Sequence, residues 1–276
     1  SATDVSQTFR LNSNYNKCFQ GVIPVGKGFY TTEEQSKEWI KADSINQEIL
    51  KWSSSAGDLV HNPNGQPSRW IIDFQDKSIE EISIYKLPLK HIRETVKPER
   101  EKNREAVMRE KWWRFKRTNE AMRTALSSLQ VCFSVPRHSK WIIFLPISTE
   151  WLPADSTTVV ASEDFYILGL LTSHIHRTWV VAKSSTLKGD TRYTHNTCFE
   201  TFSFPQTPSP TIVQNIRNKA LELHQYRSEQ MEQKQWCITK LYNAYFDEPA
   251  SQLYKLHKQL DALVLQAYDF SPDDDL

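Results

Sequence analysis

The sequence predicts an α+β protein, with a mixed helix-and-strand region over residues 1–207 and a small helical unit over 208–276. Three observations lead there. Two runs rich in aromatic and β-branched residues, 69–74 and 141–145, read as strands among segments of helical period. The stretch PQTPSP at 205–210 sets three prolines among polar residues and marks a connector, after which the apolar spacing is helical. Seven glycines in 276 residues, with no complete glycine-rich phosphate loop, leave little room for a dinucleotide- or SAM-type sheet.

Residues 1–30 read as loops and short strands. Gly26-Lys27-Gly28 is a tight turn, since a lone GxG without a third glycine is a poor nucleotide loop. A helix is predicted over 31–50 from the capping-box spacing of Thr31 and Glu34 and the intervals of Trp39, Ile45 and Ile49. The turn cluster HNPNGQ at 61–66 precedes the strand at 69–74. Ile79, Ile82 and Tyr85 share a helical face that Pro88 is expected to break, with a second helix over 91–96.

Residues 97–115 are densely charged, with Lys97 and Glu101 in i,i+4 register as in a solvated helix. There Trp112 and Trp113 read as packing residues, while Lys111, Arg114, Lys116 and Arg117 could equally meet phosphates. A short helix over 120–129 follows. The next begins at Ser162 as its cap and carries Phe165, Leu168, Leu171, Ile175 and Trp179 on one face. The last unit holds a helix over 211–233, striped by Ile212, Ile216, Ala220, Leu223 and Met231. A partly helical linker over 236–245 and the strongest apolar stripe, over 251–268, complete it.

Hydrophobic residues make up 39% and charged ones 24%, an ordinary balance for a chain long enough to bury a substantial core. No apolar run reaches the roughly 18 residues that span a bilayer, and the start of the chain lacks a secretory pattern. A cytoplasmic setting with no membrane partner is expected. Cys18, Cys132, Cys198 and Cys237 are scattered without CxxC spacing, which suits reduced thiols better than a disulfide frame or a metal site.

The densest functional chemistry lies in SSTLKGDTRYTHNTCFETFSFP at 184–205. Ser184, Ser185 and Thr186 offer three hydroxyls; Lys188, Asp190 and Arg192 alternate donor, acceptor, donor. Phe199, Phe202, Phe204 and Pro205 close the segment with an apolar anchor. In an extended stretch alternate residues face one side, so Lys188, Asp190 and Arg192 are expected to project together. Gly189 would let the backbone approach a partner closely. The chemistry suits a G·C pair in the major groove, Lys donating to guanine O6 and N7 and Asp accepting from the cytosine amino group. The hydroxyls and Arg192 suit phosphates or further base edges. Arg137, His138, Ser139 and Lys140 could line the same path, or form no more than a basic loop before a strand-like run. An exposed strand with a weak intrastrand ion pair is the alternative that spacing alone leaves open.

The segment LKGDTRYTHNTCFETFSFP at 187–205 resembles the end of the target-recognition region of MmeI-like (type IIL) restriction–modification enzymes. The likeness continues in order through CFQGVIPVGKGF at 18–29, NPNGQPSRWIIDF at 62–74, VKPERE at 96–101, KWWRF at 111–115 and PRHSK at 136–140. It extends to ITKLYN at 238–243 and LHKQLDALVLQAY at 256–268. The resemblance implies part of an adenine-specific DNA methyltransferase, usually with a nuclease on the same polypeptide. This chain would be its DNA-recognition and C-terminal portion, with the catalytic domain in cis, SAM serving the parent enzyme and no cofactor in this chain. Double-stranded DNA is the implied partner. Lys188 and Asp190 would choose one base pair together, and Arg192 falls on another recognition position. Backbone contacts are expected from Arg137, Ser139, Lys140, Ser184, Ser185 and Thr186.

No residue is expected to be catalytic or to bind metal. HNPNGQ lacks the second proline and the stacking aromatic of an NPPY loop. His138-Ser139 has no identifiable orienting acid. His174 and His176, two apart on a helix, point different ways, and Glu232-Gln233-Lys234 has no upstream aspartate strand to complete a nuclease motif. With 34 basic against 33 acidic residues, the net charge of +1 counts against strong unaided DNA binding. It fits a reader that borrows phosphate affinity from a larger enzyme. It also sustains an alternative, a protein-interaction module docking through its aromatic surface and C-terminal helix. An enzyme complete in itself would need a cofactor pocket that the sequence does not display.

Overall fold

The computed structural model describes residues 5, 7–184, 186–187 and 190–271, with the backbone alone at 186–187. In chain order the first half holds β1 (Cys18–Gln20), β2 (Tyr30–Thr31), α1 (Glu33–Ala42), β3 (Leu50–Ser54), α2 (Ala56–His61) and β4 (Arg69–Ile72). Helices α3 (Lys86–Thr95), α4 (Lys97–Glu101), α5 (Ala106–Glu110) and α6 (Glu120–Leu126) follow. Then come β5 (Val131–Pro136), β6 (His138–Ser139), β7 (Leu145–Ser148), β8 (Leu152–Pro153) and β9 (Thr157–Val160). Helices α7 (Phe165–Thr172) and α8 (His174–Lys183) lead to β10 (Thr186–Leu187) and β11 (Asp190–Arg192). The chain ends in α9 (Pro210–Lys234), α10 (Ile238–Tyr245) and α11 (Gln252–Ala267). The class is α+β.

The strands form three small sheets, ordered β1-β9-β5-β7, β2-β4-β3-β8 and β10-β11-β6. All their pairings are antiparallel except β3 with β8. The first sheet divides the interior. Because side chains alternate along a strand, Cys132 and Val159 enter one apolar cluster while Phe133, Val135 and Val160 enter the other. The larger cluster joins Leu50, Ile71 and Ile72 of the second sheet to Ile216, Leu223, Leu256 and Leu260 of the C-terminal helices. The smaller one holds Leu168, Leu171, Tyr193, Cys198 and Phe199, and it anchors the third sheet.

Several boundaries differ from the sequence expectation, each for a local reason. The helix expected over 31–50 is α1 alone, capped not by Thr31 but by Thr32, whose Oγ1 accepts from the Gln35 amide at 3.2 Å. It stops where the Asp43 carboxylate accepts from the Ile45 amide, opening a 3₁₀ turn at Ser44–Glu48 and then β3. Pro88 does not break a helix; it is the third residue of α3, where a missing N–H costs no intrahelical bond.

The charged stretch 97–115 is not one solvated helix but α4 and α5. The Lys97–Glu101 pair does form, at 3.7 Å. Arg100, however, turns inward and donates to the carbonyls of Pro24, Val25 and Arg114 at 2.6, 3.1 and 3.1 Å. The helix expected from Ser162 is capped by Asp164 and interrupted at Ser173, whose Oγ accepts from the His176 amide and starts α8. Residues 141–144 are not strand, for Trp141 is drawn toward α10 and the ladder begins at Leu145. The helix expected over 120–129 closes at Leu126.

Candidate nucleic-acid interface

The third sheet is built from two distant stretches of chain. Past the end of β5, the Arg137 amide donates to the Ser156 carbonyl at 2.9 Å, and the Arg137 carbonyl accepts from the Tyr193 amide at 2.8 Å. His138 then pairs with Arg192 and Ser139 with Thr191, while Leu187 pairs with Asp190 across the β10–β11 hairpin. These ladders bring Arg137, Ser139 and Lys140 against Asp190 and Arg192. Directly behind them Tyr193 is buried; its hydroxyl meets His176 Nε2 at 3.0 Å and its ring packs edge-on against Phe144. A π turn, His195–Phe199, then buries Cys198 and Phe199, so the closing apolar residues anchor the hairpin.

The expected continuous strand is a hairpin. Leu187 and Asp190 are antiparallel partners, so β10 and β11 do not run on as one extended strand. Asp190 and Arg192, two apart on β11, are both exposed while Thr191 between them is half-buried. That is the alternation the sequence predicted for this pair. Lys188, like Gly189 and Ser185, lies outside the described residues, as does the side chain of Thr186.

The expected backbone-contacting residues are engaged to different degrees. Arg137 is half-buried, and burial, with Arg192 close by, pushes its guanidinium pKa down from its ordinary value. Ser139 Oγ donates to the Trp141 carbonyl at 2.6 Å, so its proton is committed within its own loop. Lys140 is exposed, meets a neutral acceptor, Asn243 Oδ1, at 2.9 Å, and has no carboxylate partner among the described residues. Ser184 closes α8 with its amide on the Val180 carbonyl, and its Oγ is shielded from solvent. Beside these residues lies a groove of about 220 Å³. Leu59, Leu145 and Ile238 line its floor, and His138, Lys140 and Asp190 its polar side.

The basic run 111–117 divides in two. The Arg114 guanidinium donates to the carbonyls of Lys77 and Asp76, and Lys116 pairs with Glu105 at 2.6 Å. Trp112 and Trp113 are buried, with Trp113 Nε1 donating to the Lys77 carbonyl. Arg117 instead is exposed, and its backbone bridges to Ile23. Its side chain has no ion pair among the described residues.

Arg117 belongs to a basic group that sequence reasoning did not assemble. The His195 pKa is held below its usual value by burial and then by the charges of Arg10, Arg137 and Arg117, so three guanidinium charges are felt at one imidazole. Among the described residues, Arg10 alone of them meets a carboxylate, Glu200 at 3.4 Å. No sequence signal links residues 10, 117, 137 and 195; the fold does.

Comparison with known proteins places this architecture. The target recognition domain family of MmeI matches residues 2–206. Among solved structures, the type IIL restriction–modification enzyme MmeI, determined in complex with DNA, superposes with a TM-score of 0.75 at 19% identity. That match covers 94% of this chain and 33% of the MmeI chain. DNA methyltransferase A of Bacillus subtilis (strain 168) is 29% identical over 157 residues, 56% of this chain and 17% of its own length. The chain thus spans a third or less of the relatives it matches. Its matched region is nevertheless three quarters of the sequence, and the chain belongs to the MmeI target recognition domain family.

Proposed function

We propose that this chain is the sequence-reading part of a SAM-dependent, adenine-specific DNA methyltransferase of the restriction–modification kind, and that its ligand is duplex DNA. The observation that carries the reading is the third sheet. Its ladders set the exposed pair Asp190 and Arg192 beside Arg137 and Lys140, base-edge chemistry next to phosphate chemistry. In this reading Asp190 accepts from a cytosine amino group, Lys188 donates to the paired guanine, and Arg192 reads a neighbouring pair or grips a phosphate. Arg117, Arg137 and Lys140 contact the backbone, with Ser185 and Thr186 as further hydroxyl donors; Ser139, whose proton the Trp141 carbonyl holds, and Ser184, whose Oγ is shielded, drop out of that set. Residues 1–207 form the recognition domain and 208–276 a helical C-terminal domain. A catalytic domain of the parent polypeptide holds SAM and the flipped adenine, and the parent works in the cytoplasm. No helix among the described residues is long and apolar enough to cross a membrane.

Binding of labelled duplex DNA across a potassium chloride series tests the proposal. Each lost phosphate contact lowers the magnitude of the slope of log K against log salt by about 0.9. Arg117→Ala is expected to weaken binding to all sequences alike and to take about that much from the slope. Affinity that ignores salt, or is absent, contradicts the proposal. It would favour instead a protein-docking module, which the near-neutral net charge of +1 also suits.

A further inference from the structure

The C-terminal helices reach the third sheet's face through α10. Asn243 Oδ1 accepts two hydrogen bonds, from Lys140 Nζ at 2.9 Å and from Trp141 Nε1 at 2.9 Å. The ammonium of Lys140 also lies over the Trp141 ring, 4.8 Å from its centroid. Trp141 in turn packs against Phe246 and Tyr242, ring centroids 5.0 and 6.1 Å away. Ile238 and Thr239 of the same helix line the groove that Asp190 and Lys140 share. Beneath it, Arg227 joins α10 to the strand-side chain, donating to Tyr242 Oη at 3.0 Å and to the Phe144 carbonyl at 3.3 Å. The helix is therefore fixed relative to the loop that carries Lys140.

An amide at position 243 does something a carboxylate would not. It fixes the direction of the Lys140 ammonium yet leaves its charge uncancelled and available to a phosphate. Both hydrogen bonds are exposed, so they contribute little to folding, and their consequence is placement. We infer that Asn243 is a positioning residue for DNA binding, aiming the Lys140 ammonium at a backbone phosphate flanking the groove that Asp190 lines. The inference rests on the duplex-reading proposal above and extends it to the C-terminal helices.

A double-mutant cycle on the whole 276-residue chain tests it, with a labelled duplex and a potassium chloride series as probe. Asn243→Ala and Lys140→Ala are each expected to weaken binding roughly three- to tenfold. The double variant should be no weaker than Lys140→Ala, because aiming is worthless without the lysine. Asn243→Asp keeps an oxygen that can accept both hydrogen bonds but cancels the Lys140 charge, so its salt slope should be shallower than wild type by about 0.9. The melting temperature of Asn243→Ala should stay within a few degrees of wild type. Additive losses, wild-type binding by either single variant, or a melting temperature that falls in step with affinity would overturn the Asn243 assignment while leaving duplex reading intact. If the wild-type chain fails to bind duplex DNA at low salt, the duplex-reading proposal falls and this one with it.

Discussion

At the scale of single residues, Arg227 is the most informative. It occupies a position on the buried stripe of α9, between Leu223 and Met231, and is 1% exposed. A buried guanidinium needs partners. It finds Tyr242 Oη, which at 2.7 Å also meets His257 Nε2. Burial, and then Arg177, Arg227 and Lys258, push the His257 pKa well below its usual value. The neutral ring can therefore accept the tyrosine proton while the hydroxyl oxygen accepts from the arginine. Tyr242→Phe takes the shared hydroxyl from Arg227 and His257 at once and should cost about 1–3 kcal/mol of stability in urea unfolding. Arg227→Met removes the charge along with its needs and should be near neutral or stabilising. A Phe variant as stable as wild type would contradict this account of the network. The stripe Ile216, Ala220, Leu223, Met231 was legible in the sequence because apolar residues recur at helical spacing. The arginine within it was not, since only the fold brings Tyr242 and the Phe144 carbonyl to it.

At the scale of elements, α7 and α9 cross at Gly169. A Cβ there would come within 2.6 Å of Ile216 Cγ2 and 3.3 Å of Ala220 Cβ. A branched methyl of a buried isoleucine yields poorly. Gly169→Ala gains about 1 kcal/mol of helix propensity, but overpacking costs about 1–3 kcal/mol. The balance predicts a lower melting temperature; a rise would mean that the helices separate freely. Long helices such as α9 and α11 were readable from periodicity; their caps, Ser209 and Ser251, come from the structure. Boundaries elsewhere were not, because side-chain bonds to the backbone decide them: Asp43 ends α1 and Ser173 splits α7 from α8. The same holds at the candidate site. The alternation of Asp190 and Arg192 was visible in the sequence, whereas the hairpin and its pairing with His138-Ser139 depend on a partner strand some fifty residues away.

At the scale of the whole molecule, buried histidines set the acid limit. Burial, then Arg177, lowers the His176 pKa to about 3, and burial, then Arg227, lowers that of His224 to about 4. With His257 depressed as well, the unfolded chain binds more protons than the folded one below the ordinary histidine value near 6.5. Stability should therefore be full above about pH 6.5 and fall as pH drops toward 4. Each histidine takes up to about 1.4 kcal/mol per pH unit within that window. A melting temperature unchanged between pH 7 and pH 5 would contradict it. The net charge of +1 belongs to this scale too. It is a sum over the whole chain, and the composition could not show that Arg137 feels Arg192, or that His195 feels Arg10, Arg137 and Arg117.

The most direct test of the central claim is selection of randomised duplexes at low salt, wild type beside a variant carrying Lys188→Glu with Asp190→Arg. Both proteins should enrich a motif, and the two motifs should differ at one base pair, G·C becoming C·G. An identical motif from the two proteins would contradict it.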